Sequence, residues 1–138
     1  ARLYLARYRD TVLGAILVFH FGDTATYLYG ASSDDERQRM PNHLLQWEAM
    51  RQARAAGLTW YDFWGIPDAI GRAVSAGRSP ESVVPESGGL WGVWGFKRGF
   101  GGEVFRAVGA WDAVYRPWRY VLGTRIVPAV RARVRRPA

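Results

Sequence analysis

The stretch Gly89-Leu90-Trp91-Gly92-Val93-Trp94-Gly95-Phe96-Lys97-Arg98-Gly99-Phe100-Gly101-Gly102 holds the residue best suited to chemistry. Lys97 is the single lysine in a chain with 19 basic residues, the rest being arginine. Arginine presents a planar fork, whereas lysine presents a compact, strongly hydrated point charge that can be aimed at one oxygen atom. An ammonium kept among aromatics and glycines is therefore the first candidate for a catalytic group; drift in an arginine-favouring background is the alternative. With no cysteine, the chain has no thiolate nucleophile, no disulfide and no thiolate metal site. His20 and His43 stand alone, without the carboxylate spacing of a metal site, so no metal is expected.

The elements that must position Lys97 follow from pattern. Residues 3–8 alternate as a half-buried strand does, and Arg9-Asp10 supplies a turn. Leu13 to Phe21 is apolar apart from Gly14 and His20, which predicts a central strand covered on both faces, with His20 a satisfied core histidine. Gly22-Asp23 turns the chain into a third strand, Thr24 to Tyr29, completing an antiparallel meander. Pro41 suits a first helical turn, and Asn42 to Ala56 reads as a helix ended by Gly57. Met40, Leu44, Leu45, Trp47, Ala49, Ala53 and Ala56 form its broad apolar face, and His43 serves local hydrogen bonding in its first turn. Thr59 to Trp64 is the next strand, so the helix is a crossover that sets it parallel to Thr24–Tyr29. Gly65 to Gly88 reads as a mobile surface loop, a lid or a disordered segment, with a short helix at Asp68 to Ala76. Glu103 to Arg116 alternates as a long strand or a hairpin around Gly109. Pro117 opens a last helix, kinked at Pro128, with Val127, Val130 and Val134 on one side and arginines 119, 125, 131, 133, 135 and 136 around it.

These elements predict an α+β fold in two parts, a domain over 1–116 and a basic helix over 117–138. A length of 138 residues allows one domain with a real core, and 49% apolar residues exclude a disordered tail. The net charge of +7 favours a polyanionic partner. No apolar run reaches the length of a membrane span, no signal-peptide pattern opens the chain, and a cytoplasmic location is compatible with the absence of cysteine. Strand-like sequence begins at once and without an initiator Met, which reads as a piece of a longer protein.

The element order and three local strings together resemble the Fem family of non-ribosomal peptidyltransferases. The strings are Tyr27-Leu28-Tyr29-Gly30-Ala31-Ser32-Ser33, Met40-Pro41-Asn42-His43-Leu44-Leu45-Gln46-Trp47-Glu48 and Gly95-Phe96-Lys97-Arg98-Gly99-Phe100-Gly101. The strand Thr59-Trp60-Tyr61-Asp62-Phe63-Trp64-Gly65 also fits, and the resemblance spans roughly residues 3–120. It implies a GNAT-like mixed sheet, an antiparallel meander plus a parallel crossover pair flanked by helices. The family builds two such domains in tandem, so this chain would be most of the second, with an N-terminal GNAT-like domain missing. The resemblance implies transfer of an amino acid from aminoacyl-tRNA to the stem peptide of a UDP-linked or lipid-linked muramyl peptide, without a cofactor. Where GNAT enzymes carry a glycine-rich pyrophosphate loop, this chain has Ser33-Asp34-Asp35-Glu36-Arg37-Gln38-Arg39, whose three carboxylates would repel a pyrophosphate.

The same resemblance assigns roles. Lys97 would stabilise the tetrahedral oxyanion formed when an amine attacks the aminoacyl ester; alternatively it pairs with a surface acid. Phe96 would line the tRNA acceptor end, or belong to the core, and Trp94 and Arg98 join it as substrate-binding candidates. Tyr29 is the best match to a family tyrosine hydroxyl, or an interfacial tyrosine. Asp62 could help deprotonate the attacking amine, or cap the following loop. The C-terminal arginines could follow an RNA backbone, make peripheral contact with an anionic membrane, or stay solvated. A non-catalytic RNA-binding module and an N-acyltransferase with another acyl donor are the competing readings, and the 138 residues alone are expected to be inactive.

Overall fold

The structure is a computed structural model that describes residues 1–109 and 111–128. Strands β1 (Arg2–Tyr8), β2 (Thr11–Phe21) and β3 (Thr24–Ser32) form an antiparallel meander. Both connections are two-residue turns, and both put a residue at positive φ, Arg9 at 52° and Gly22 at 58°, as tight hairpins require. Helix α1 (Pro41–Ala55) then crosses over, and β4 (Trp60–Asp62) pairs parallel to β3, giving the order β1-β2-β3-β4. This is the expected α+β arrangement with a mixed sheet of the GNAT-like kind.

Residues opposite one another on neighbouring strands share a face. Tyr4 pairs with Ile16 and Ala6 with Gly14, and their face packs on Leu45, Ala49 and Ala53 of α1. Gly14 allows the close approach: a Cβ there would lie 3.3 Å from Leu45 Cδ1 and 3.3 Å from the Ala31 carbonyl. Between β2 and β3, Leu17 pairs with Tyr29 and Val18 with Tyr27, so Leu28 is the extra residue of a β-bulge. The bulge breaks the two-residue alternation: Tyr27 shares the α1 face with Val18, and Tyr29 shares the opposite face with Leu17.

Several expectations are corrected. Among the described residues, α1 packs on one face of the sheet; on the other, Phe19 and Phe21 of β2 are exposed, Phe21 to 91%. An apolar run therefore signalled two-sided cover that the described residues do not supply. His20 is half-buried and its Nε2 has no partner, with burial, Arg2 and the N-terminus pushing its pKa down. Of the predicted apolar face, Met40, just before α1, and Leu44 and Trp47 on it are exposed, and Gln46 takes the buried place, its Oε1 accepting a 2.7 Å bond from the Tyr61 hydroxyl. A buried amide is tolerable once it has such a partner. Residues 65–88 contain the expected short helix, α2 (Asp68–Ser75), but it buries Ile70 and Ala73 completely, as a surface loop would not, and a short 3₁₀ turn follows at Pro80–Ser82. Helix α3 (Trp91–Arg98) carries the glycine-aromatic stretch.

The chain divides into two units, Ala1–Phe105 and the part from Arg106 onward. The strand expected over Glu103 to Arg116 is absent among the described residues, which carry no regular structure there. Alternation alone cannot hold a strand whose N–H and C=O groups find no partner strand. In the second unit, α4 (Pro117–Val121) continues as one π-helical stretch, Leu122–Ile126, with Thr124 Oγ1 donating to the Tyr120 carbonyl at 2.6 Å. Val130, Val134 and arginines 131, 133, 135 and 136, with any bend after Pro128, lie outside the described residues.

Candidate active site

Parallel pairing between β3 and β4 covers only Thr24–Thr26 and Trp60–Asp62. Beyond that point β3 runs on to Ser32, whereas β4 ends and its chain turns away through Gly65. Lys97, in the last turn of α3, enters this divergence. Its Nζ donates a 2.6 Å hydrogen bond to the Gly65 carbonyl and lies 5.7 Å from the centre of the Tyr27 ring. The side chain is 9% exposed, so the surface ion pair considered as its alternative role is not what it makes. Burial pushes its pKa below the usual lysine value, and the negative charge of Asp62 partly offsets that. An ammonium has three donors; among the described residues Gly65 takes one of them, so up to two can face a substrate.

The tyrosine beside this lysine is Tyr27. Its ring forms one wall, burial raises its hydroxyl pKa, and the hydroxyl lies so close over Gly30 that a Cβ there would collide with it. Tyr29, by contrast, is on the far face of the sheet, 66% exposed. The Leu28 bulge is the reason, and no sequence pattern announces a bulge at that residue. Asp62 sits near enough to Lys97 to affect its charge, but its Oδ1 accepts the Trp64 backbone N–H at 2.7 Å, the loop cap named as its alternative.

Phe96 joins an aromatic chain. Its ring meets His43 edge-on at 4.9 Å and Phe100 at 5.2 Å; Phe100 lies parallel to His43 at 5.7 Å and reaches Phe63 at 5.1 Å, which meets Tyr61 at 5.1 Å. His43 thus acts as an aromatic surface rather than the local hydrogen-bonding group expected. Phe96 and His43, with Ser32, Ser33, Arg37 and Asn42, line a cleft of about 180 Å³ at the start of α1. Asn42 Nδ2 donates to Ser32 Oγ at 3.1 Å, tying that helix start to the end of β3. In the acidic loop, Asp34 pairs with Arg37 at 3.2 Å and Glu36 with Arg39 at 2.7 Å, so two of its three carboxylates are locally neutralised. Arg98 is exposed and acts on Glu81, and Trp94 is half-buried on the same helix. The structure therefore gathers Lys97 and Asp62 at the strand divergence, sets Phe96 in the neighbouring aromatic cleft, and leaves Tyr29 on the other face. The sequence gives Tyr27, Gly65 and His43 no role in the site, although each lies in one of the strings that carry the family resemblance.

With this geometry established, the chain can be set beside known proteins. The FemAB family model matches residues 4–126. A lipid II:glycine glycyltransferase of Staphylococcus epidermidis is 36% identical over 115 residues, covering 83% of this chain and 24% of that protein. Proteins of the same name from Staphylococcus haemolyticus and Staphylococcus aureus are 35% and 33% identical over the same length. The chain spans about a quarter of the length of these relatives. No solved structure matches it. The chain belongs to the FemAB family.

Proposed function

We propose that the full-length polypeptide carrying this chain transfers an aminoacyl group, glycyl by the relatives' names, from aminoacyl-tRNA to a stem-peptide amine of a peptidoglycan precursor. One observation carries the reading: a largely buried ammonium, bonded among the described residues to the Gly65 carbonyl alone and held where β3 and β4 diverge. In the reaction the amine nitrogen attacks the ester carbonyl carbon, and an oxyanion forms on the carbonyl oxygen. The bond to the ribose oxygen then breaks, and the proton lost by the amine ends on that oxygen. Lys97 stabilises the oxyanion, and because its side chain is largely buried, little reorganisation is needed as the charge appears. A donor in that role is worth roughly 2.7–4 kcal/mol. Phe96 and His43 offer ring faces for the unpaired nucleotides at the donor's end, where stacking is worth about 1–3 kcal/mol per base. Arg98, exposed on α3, would meet donor phosphates, and Trp94, one helical turn before it, would support the same side of that helix.

The relatives' names favour the lipid-linked precursor over the UDP-linked one. On this reading the reaction takes place in the cytoplasm at the membrane surface, and a second GNAT-like domain completes the acceptor side. The test is transfer of glycine from charged tRNA to lipid II by the full-length polypeptide. We expect transfer with the tRNA donor, none with an acyl-CoA donor, and a roughly 10²–10³-fold fall in single-turnover rate for Lys97→Ala. Tight tRNA binding without transfer, or transfer from acyl-CoA, would overturn the reading.

A further inference from the structure

Three features of one short turn converge on Lys97. Asp62 Oδ1 accepts the Trp64 N–H at 2.7 Å. Trp64 itself has φ 61°, a left-handed conformation that a bulky residue adopts only when its surroundings hold it there. The next carbonyl, Gly65 O, is the acceptor of the Lys97 ammonium at 2.6 Å. Trp64 is 59% exposed, so packing of its ring does little to enforce the unusual backbone; the Asp62 bond is the restraint the turn supplies.

We propose that Asp62 acts on Lys97 through the backbone: its carboxylate clamps the Trp64 N–H, holds that residue left-handed, and so aims the Gly65 carbonyl that fixes the ammonium. Asp62 is then a positioning residue, not the base that deprotonates the incoming amine. The consequence for transfer rests on the function proposed above; the clamp itself does not. Only an acceptor oxygen is required at this position, because the clamp is a hydrogen bond to a neutral N–H. Asparagine can provide that oxygen, whereas it cannot serve as a base. Among the described residues, the charge that bears on Lys97 is that of Asp62.

The single lysine makes the clamp directly observable. In this chain labelled with ¹³Cε-lysine, the single lysine is expected to give one side-chain signal, shifted from that of free lysine by its buried place beside the Tyr27 ring. We expect Asp62→Asn to leave that signal displaced and Asp62→Ala to move it towards the position of free lysine, while the methyl signals of Ile16 and Val18 report that the core is intact. In the full-length polypeptide, Asp62→Asn should retain transfer within about threefold, and Asp62→Ala should lose about tenfold or more through misplacement of the ammonium. A base would instead make Asp62→Asn as damaging as Asp62→Ala, by about 10²-fold or more. That result overturns the proposal, as does an Asp62→Asn signal at the free-lysine position or an Asp62→Ala signal that stays displaced. If no form transfers, including the unaltered polypeptide, the functional reading falls while the lysine signal still decides the clamp.

Discussion

The two faces of the sheet are made by the same strands and meet opposite fates. Under α1, Val18 and Ala25 are fully buried and Ile16 is 2% exposed; on the other side, Leu3, Leu5, Phe21 and Tyr29 stay more than half exposed. The tyrosine that walls the Lys97 ammonium, Tyr27, belongs to the covered side, and Tyr29, two residues on, belongs to the open one. What separates them is one inserted residue, Leu28. A buried ammonium needs walls that exclude water, and only the face with a helix across it provides them. The difference teaches that, in this sheet, cover rather than residue type decides which tyrosine can attend the chemistry.

If that comparison is right, the largest effect should come from the centre of the covered face. Ile16→Ala is expected to cost about 2–5 kcal/mol in denaturant unfolding, since it opens a cavity beneath α1. Crowding the Tyr27 wall should rank next. Gly30→Ala drives a methyl into the Tyr27 hydroxyl and is expected to cost about 1–3 kcal/mol, together with a shift of the Lys97 side-chain signal. A comparable cost without any change at Lys97 would break the link between that wall and the ammonium.

The covered face should also respond to alkali. Burial raises the Tyr61 hydroxyl well above its usual pKa, and Tyr4 and Tyr27 add to the effect. For an acid whose folded pKa is raised, the contribution to stability is complete below the unfolded value, near 10, and is lost as pH rises through the folded value. Stability measured from pH 9 to 11 should therefore fall, and Tyr61→Phe should flatten that fall. At neutral pH the same substitution leaves Gln46 Oε1 without its donor, at a cost of about 1–3 kcal/mol. The smallest effects belong to the open face: Phe21→Ser should change stability by no more than about 0.5 kcal/mol. A loss as large as that of Ile16→Ala would mean the open face is covered in solution, and the contrast would fail.

Much of this arrangement is legible in the sequence, and the illegible parts have physical reasons. The meander, the crossover helix and the parallel pair follow from alternation, two short turns and Pro41, all local signals. Lys97 stands out because every other basic residue is arginine. The bulge does not, because Tyr27-Leu28-Tyr29 reads as regular alternation and the insertion shows only in the pairing with β2. Gln46 is absent from the predicted apolar face because its burial depends on the Tyr61 hydroxyl, fifteen positions away in the chain. Leu44 and Trp47 read as core because helical periodicity marks an apolar stripe without saying how wide a neighbour will cover it. Glu103 to Arg116 has the alternation of a strand but no partner strand among the described residues, and pairing is what a strand needs.

The claim beneath all of this is that the covered corner strips water from the Lys97 ammonium. The direct measurement is the pH titration of its ¹³Cε signal in this chain, where no second lysine interferes. The account predicts a midpoint below the ordinary lysine value of 10.5, in the direction that burial imposes. A midpoint at or above 10.5, with the signal of a freely solvated side chain, would contradict it.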